Sequence, residues 1–172
     1  RNPLSTLPVY TIDGHIRDAI IRDGPISFDR FMELALYSPE NGYYRSNTPT
    51  GPEGDYFTSP TAHPVFGALL TVQLRQMWEV LGRPTTFTVV EVGAGNGILA
   101  RDIAEATEST DPDFSRALRY MSIDYSTKIK LPSGAQRIAA ANLPIQGLVG
   151  CILTNELMDS FPVHRFQVRN GS

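Results

Sequence analysis

Cysteine occurs once in the 172-residue chain, at Cys151. One thiol builds neither a disulfide framework nor an all-thiolate zinc site. It fits a reducing compartment, either bacterial cytoplasm or mitochondrial matrix. No apolar run reaches the ~18 residues of a membrane-spanning helix, so no membrane span is expected. Basic residues are not in excess: 15 Lys and Arg face 18 Asp and Glu, a net charge of −3. That balance argues against nucleic acid as a partner, because phosphate binding needs clustered cations. The three histidines, His15, His63 and His164, are scattered without metal-ligand spacing, so no metal is expected. Internal repeats, low-complexity tracts and a secretory leader pattern are missing too. The chain opens on Arg1 and not on Met, which reads as a trimmed or processed chain.

What is present is the composition of a folded protein, with 41% hydrophobic and 19% charged residues. The 14 glycines and 13 prolines point to a loop-rich front end. Residues 1–10 read as an extended arm. Thr11 to Asp23 places Ile12, Ile16, Ala19 and Ile20 on one helical face and stops at Gly24-Pro25. A second helix is expected from an N-cap at Ser27 to Tyr37, burying Phe28, Phe31, Met32 and Ala35. From Asn41 to Pro64 the periodicity is lost, yet Tyr43, Tyr44, Tyr56 and Phe57 count against simple disorder. An ordered functional loop is the expectation. Pro64 to Leu81 reads as a strong helix with Val65, Leu69, Val72, Met77, Val80 and Leu81 among its apolar positions.

The period then changes. Phe87–Val92 is a β-branched strand, followed by Gly93-Ala94-Gly95-Asn96-Gly97 and a helix from Ile98 to about Ala106. After a polar insert, Glu108 to Ser115, a second strand runs from Arg119 to Asp124. A third is expected at Arg137 to Ala141 and a buried parallel one at Gly150 to Thr154. Strands alternating with helices imply a parallel α/β sheet. The division expected is a helical extension over residues 1–84 and an α/β domain over 85–172.

The chemistry concentrates at Glu91-x-Gly93-x-Gly95-x-Gly97, between strand and helix. Glycines permit a sharp turn and close approach of a ligand, and the helix start adds unpaired N–H groups. The dinucleotide fingerprint G-x-G-x-x-G would put glycine where Ile98 stands. A ribose also needs a carboxylate at the end of the second strand. Asp124 is there, 27 residues past Gly97 rather than the usual ~20, the polar insert making up the excess. A tight turn in any α/β domain is the alternative for the glycines, and a solvated strand end for Glu91. A second cluster, Asn155-Glu156-Leu157-Met158-Asp159, follows the last strand. Glu156 and Asp159, three apart, would share a helical-turn face and hold a cationic group; the alternative is a helix N-terminus with acids complementing its dipole. Cys151, Trp78 and Met77 read as packing residues, and Lys128, Lys130 and Arg137 as a solvated face.

The spacing E-x-G-x-G-x-G is similar to the S-adenosylmethionine loop of class I methyltransferases. Further stretches match more specifically: Pro25-Ile26-Ser27-Phe28, Phe31 to Pro39, Gly42-Tyr43-Tyr44, Gly54-Asp55-Tyr56-Phe57-Thr58-Ser59-Pro60, Phe66-Gly67, and Asn155 to His164. With these the chain resembles the MidA-type methyltransferase family, which includes a mitochondrial complex I assembly factor. The resemblance covers about residues 11 to 168. It implies an incomplete class I Rossmann-like parallel sheet behind a helical extension, with the later strands of the sheet beyond Ser172. It also implies S-adenosyl-L-methionine as cofactor and an arginine of a respiratory-complex subunit as acceptor. Glu91, Gly93, Ala94, Gly95, Gly97, Asp124, Thr58, Ser59 and Asn155 are then the expected cofactor-binding residues. Glu156, Asp159 and Asp55 are the expected catalytic carboxylates. A small-molecule acceptor, and a non-catalytic assembly module retaining the fold, remain the rival readings.

Overall fold

Where the helical period gives way to β-branched residues, a four-stranded sheet forms. In a computed structural model the described residues are 12–45, 54–125, 131–132, 135–140, 143 and 145–169. The expected arm at residues 1–10, Lys128 and Lys130, and residues 46–53 of the long loop lie outside them. The chain divides into two compact units: Arg1–Thr48 with Met158–Ser172, and Pro49–Leu157.

In the second unit, strands β1 (Phe87–Val92), β2 (Leu118–Asp124), β3 (Gln136–Ala139) and β4 (Gly150–Thr154) are all parallel, in the order β3-β2-β1-β4. Among the described residues of this unit are four helices, α3 (Ser59–Ala62), α4 (Val65–Val80), α5 (Ile98–Thr110) and α6 (Pro112–Ala117). Phe87 and Val89 of β1 are buried with Tyr120 of β2, Leu99, Ala100 and Ile103 of α5, Leu74 and Trp78 of α4, and Phe114 of α6. Trp78 satisfies its one donor by giving Nε1–H to the Pro84 carbonyl at 2.9 Å. At Gly67 the backbones of α4 and α5 come together so closely that an added Cβ would sit 2.6 Å from the Asp102 Cβ.

Helix α4 buries a different face from the one expected. Gly67, Thr71, Leu74 and Trp78 face the core, while Val65, Leu69, Val72, Met77, Val80 and Leu81 are exposed. The helix is apolar almost all round, so periodicity could not select a face. The small residues Gly67 and Thr71 did, by admitting α5. Thus Trp78 packs as expected and Met77 does not.

The polar insert is not a loop. Helix α5 runs on to Thr110, and the Asp111 carboxylate then accepts the Asp113 and Phe114 N–H groups at the start of α6. This cap, with Pro112 in the first turn, restarts the helix so that Phe114 reaches Trp78 and Phe87.

In the other unit, α1 (Ile12–Asp23) and α2 (Phe28–Tyr37) form with a 3-10 turn at Tyr43–Arg45. Only Ala19 of α1 is buried, Ile20 is exposed, and α2 has no buried residue: Phe28 and Phe31 are exposed and stack on each other. Ser27 occupies the N-cap position without a side-chain capping bond. Tyr37 donates its hydroxyl to the Ser160 carbonyl at 2.9 Å, joining α2 to the second 3-10 turn, Met158–Ser160.

Candidate functional site

Parallel pairing sets Val92 beside Ile123 on one side and Thr154 on the other. The next residue on each strand is Gly93, Asp124 or Asn155, so these three line up along the carboxyl edge of the sheet. The strand order reverses between β1 and β4, which opens the crevice where ligands bind in such sheets. Gly93 closes the row by donating its N–H to the Ile123 carbonyl at 2.8 Å.

Gly93, Gly95 and Gly97 all have positive φ, at 76°, 54° and 76°, which side chains rarely adopt. Their surroundings differ. A Cβ on Gly93 would lie 2.7 Å from Cδ1 of Leu157, so the space vacated there is filled by the chain itself and not left to a ligand. Around the equivalent position on Gly95 there is nothing within 4 Å. The Gly95 N–H donates to Asp124 Oδ2 at 3.0 Å. Ala94 is buried, and its carbonyl accepts the Gly97 N–H at 2.9 Å. Asn96 supplies the cap that Gly97 cannot, its Oδ1 accepting the Ile98 N–H at 3.1 Å.

Glu91 sits two residues before Gly93 and is 4% exposed. Its Oε2 accepts the Tyr120 hydroxyl at 3.1 Å. Burial drives its pKa up to about 7, nearby Asp124 adds to the rise, and hydrogen bonding from Tyr120 opposes it. Burial and the Glu91 carboxylate push the Tyr120 phenol well above its ordinary value. Glu91 is thus a buried group inside the sheet and not a solvated strand end. Tyr120 is a partner the sequence reading missed. Its only signal was position, two residues before the Glu91 partner Ser122 and on the same face of β2.

At the end of β4, Glu156 takes a left-handed backbone with φ 50°, costing about 1 kcal/mol for a residue with a Cβ. It is therefore not in a helix, and the expected shared helical face with Asp159 does not form. Glu156 Oε1 accepts the Ser59 N–H at 3.2 Å and the Asn155 Nδ2–H at 3.4 Å. Thr58 holds the same turn through its own N–H, given to Thr61 Oγ1 at 2.8 Å. Asp55, Tyr56 and Phe57 precede it and are exposed. Asp159 lies in the other unit, in the Met158–Ser160 turn, and is exposed. The structure thus joins Glu91, Gly93, Gly95, Asp124, Asn155, Glu156 and Ser59 into one assembly.

No group of His, Cys, Asp and Glu among the described residues has the arrangement of a metal site, and none of their helices is long and apolar enough to cross a membrane. Cys151 is half-buried at the margin of the core, where burial raises its thiol pKa.

A parallel sheet of this order, with a glycine turn after β1 and a carboxylate at the end of β2, is a Rossmann-like α/β arrangement, and the structural match given below makes it a class I methyltransferase-type domain. A family model described as "Putative S-adenosyl-L-methionine-dependent methyltransferase" matches residues 69–172. The chain belongs to that family.

Among its relatives, the mitochondrial protein arginine methyltransferase NDUFAF7 homolog of Drosophila melanogaster is 28% identical over 183 residues, covering 91% of this chain and 42% of its own length. The human mitochondrial protein arginine methyltransferase NDUFAF7 is 36% identical over 96 residues, 56% of this chain and 22% of the relative. A crystal structure of a Burkholderia thailandensis protein bound to S-adenosyl-homocysteine superposes with a TM-score of 0.72 at 26% identity, over 88% of this chain and 42% of that one. The chain spans less than half the length of these relatives.

Proposed function

We propose that this chain carries the donor-binding half of an S-adenosylmethionine-dependent protein arginine methyltransferase. The observation that carries the reading is the Gly95 position, open on its Cβ side and tied by its N–H to Asp124 at the end of β2. The residues fit the donor. Gly95 leaves room for close backbone approach, Asp124 is placed for ribose hydroxyls, and the acidic pair Glu91 and Asp124 suits a cation. Thr58, Ser59, Ala94, Gly97 and Asn155 are assigned to the same site. When bound, the donor supplies an electrophilic methyl group on a sulfonium.

The chain's own task is to orient the acceptor and exclude water. A guanidinium is always protonated in water, so its methylation needs a carboxylate that localises its charge, orients one nitrogen and takes the proton that nitrogen gives up. Asp55, an exposed carboxylate on the segment leading into α3, is assigned that role. Asp159 is a second candidate, on the strength of the family resemblance of its segment. A respiratory complex I subunit is the proposed substrate, from the family resemblance alone; an arginine acceptor and a mitochondrial compartment are in line with the names of the relatives.

Calorimetric titration of the folded chain with S-adenosyl-homocysteine tests the donor site, with saturable one-to-one binding expected. A folded sample that takes up none would leave only an assembly module. For the acceptor, the full-length protein is incubated with an arginine-containing complex I subunit and labelled donor. Mass spectrometry should then find methylarginine; label passing only to small molecules would replace the protein acceptor.

A further inference from the structure

We infer that Glu156 is a positioning residue, latching the Ser59–Ala62 turn against the donor site, and not a ligand of the acceptor. The inference rests on the donor-site reading above and refines it.

Three contacts converge on the end of β4. Glu156 Oε1 receives the Ser59 N–H, 97 residues earlier in the chain. Its neighbour Leu157 places Cδ1 where a Gly93 side chain would be. Its other neighbour, Asn155, donates to the same Oε1 and so steadies it for Ser59. Helix α3, which Ser59 begins, also rests on α5, the helix that the glycine loop initiates. The contacts close a ring from Gly93 through the glycine loop to α5, on to α3, across Ser59 to Glu156, and back through Leu157.

Glu156 keeps its side chain on a left-handed backbone, at φ 50°. A glycine would adopt this φ more easily. The side chain is therefore what the position uses, and its carboxylate oxygen is the atom engaged.

The Ser59 and Asn155 hydrogen bonds are both donated to Glu156, so a glutamine carbonyl oxygen can accept both. Glu156→Gln therefore separates a latch from a charge. The measurements are amide exchange at Ser59, Thr61 and Ala62 in the unliganded chain, S-adenosyl-homocysteine affinity, and methyl transfer by the full-length protein. Glu156→Gln should keep exchange protection and affinity within about threefold of the parent and should retain transfer. Glu156→Ala and Glu156→Gly should both lose about tenfold in protection of that turn and about fivefold or more in affinity.

Parental protection and affinity in Glu156→Ala would overturn the latch. So would loss of transfer in Glu156→Gln with affinity intact, because the negative charge would then be acting on the acceptor. Should the parent chain bind no S-adenosyl-homocysteine, the donor reading fails, and the exchange measurement still decides the latch by itself.

Discussion

The Asp124 carboxylate accepts the Gly95 amide at 3.0 Å, so the end of β2 holds the glycine loop. The carboxylate expected to receive ribose hydroxyls is thus also a structural tie. Asp124→Asn keeps an acceptor oxygen for Gly95 and loses the charge, whereas Asp124→Ala loses both. A hydrogen bond to a charged group contributes about 1.5–3 kcal/mol. Affinity for S-adenosyl-homocysteine should therefore fall at least about tenfold in Asp124→Ala and less in Asp124→Asn. Titration calorimetry ranks the two, and equal affinities for parent and alanine variant would remove Asp124 from the site.

Gly93 and Gly95 should respond oppositely to alanine. At Gly93 the new methyl meets Leu157 Cδ1 at 2.7 Å on a backbone with φ 76°. Overpacking and strain together cost about 1–3 kcal/mol, seen as a lower urea midpoint. Adding Leu157→Ala should restore part of the loss, a coupling that a double-mutant cycle measures. Gly95→Ala meets no neighbour, so it should cost only about 1 kcal/mol of backbone strain while depressing ligand affinity. The reverse pattern would mean that the open side of the loop faces no ligand.

Glu91 makes stability pH-dependent. Its pKa is about 4.5 when solvated and about 7 in the fold, chiefly through burial. Between those values the native state holds a proton that the unfolded state has released. Stability therefore falls as pH rises from about 4.5 to about 7 and levels off above. The full effect is of the order of 3 kcal/mol. Glu91→Gln should flatten this slope when urea unfolding is compared at about pH 5 and about pH 8. Tyr120→Phe should shift its midpoint upward, because the hydroxyl stabilises the ionised carboxylate. An unchanged slope in Glu91→Gln would assign the pH dependence to other groups.

Phe114 is fully buried between Trp78 and Phe87. Phe114→Ala should cost about 3–5 kcal/mol, with Asp111→Ala costing about 1 kcal/mol through loss of the α6 cap. Denaturant unfolding of both variants checks the ranking. An Asp111 effect as large as that of Phe114 would mean that the cap, and not the aromatic, organises this corner.

Much of this was legible in the chain before folding. The strands Phe87–Val92 and Gly150–Thr154 fall where β-branched and apolar runs put them, because their periodicity is local and their ends are marked by glycine or polar residues. Gly150–Thr154 is parallel but not buried as expected: among the described residues it is an edge strand, with Ile152 exposed. The glycine loop, Asp124 and the Asn155-Glu156 segment were likewise visible as residue types at fixed offsets from strand ends. The helical faces were not. Helix α4 is apolar on nearly every side, and only contact with α5 at Gly67 selected the buried stripe. The same holds for Tyr120 beneath Glu91, for Leu157 in the space of Gly93, and for Ser59 on Glu156. The last two join residues 64 and 97 positions apart. Sequence determined the elements, their order and the chemistry at their ends, since these depend on neighbours along the chain. Tertiary structure alone decided which atom meets which, since backbone register and side-chain volume act only once distant segments are packed.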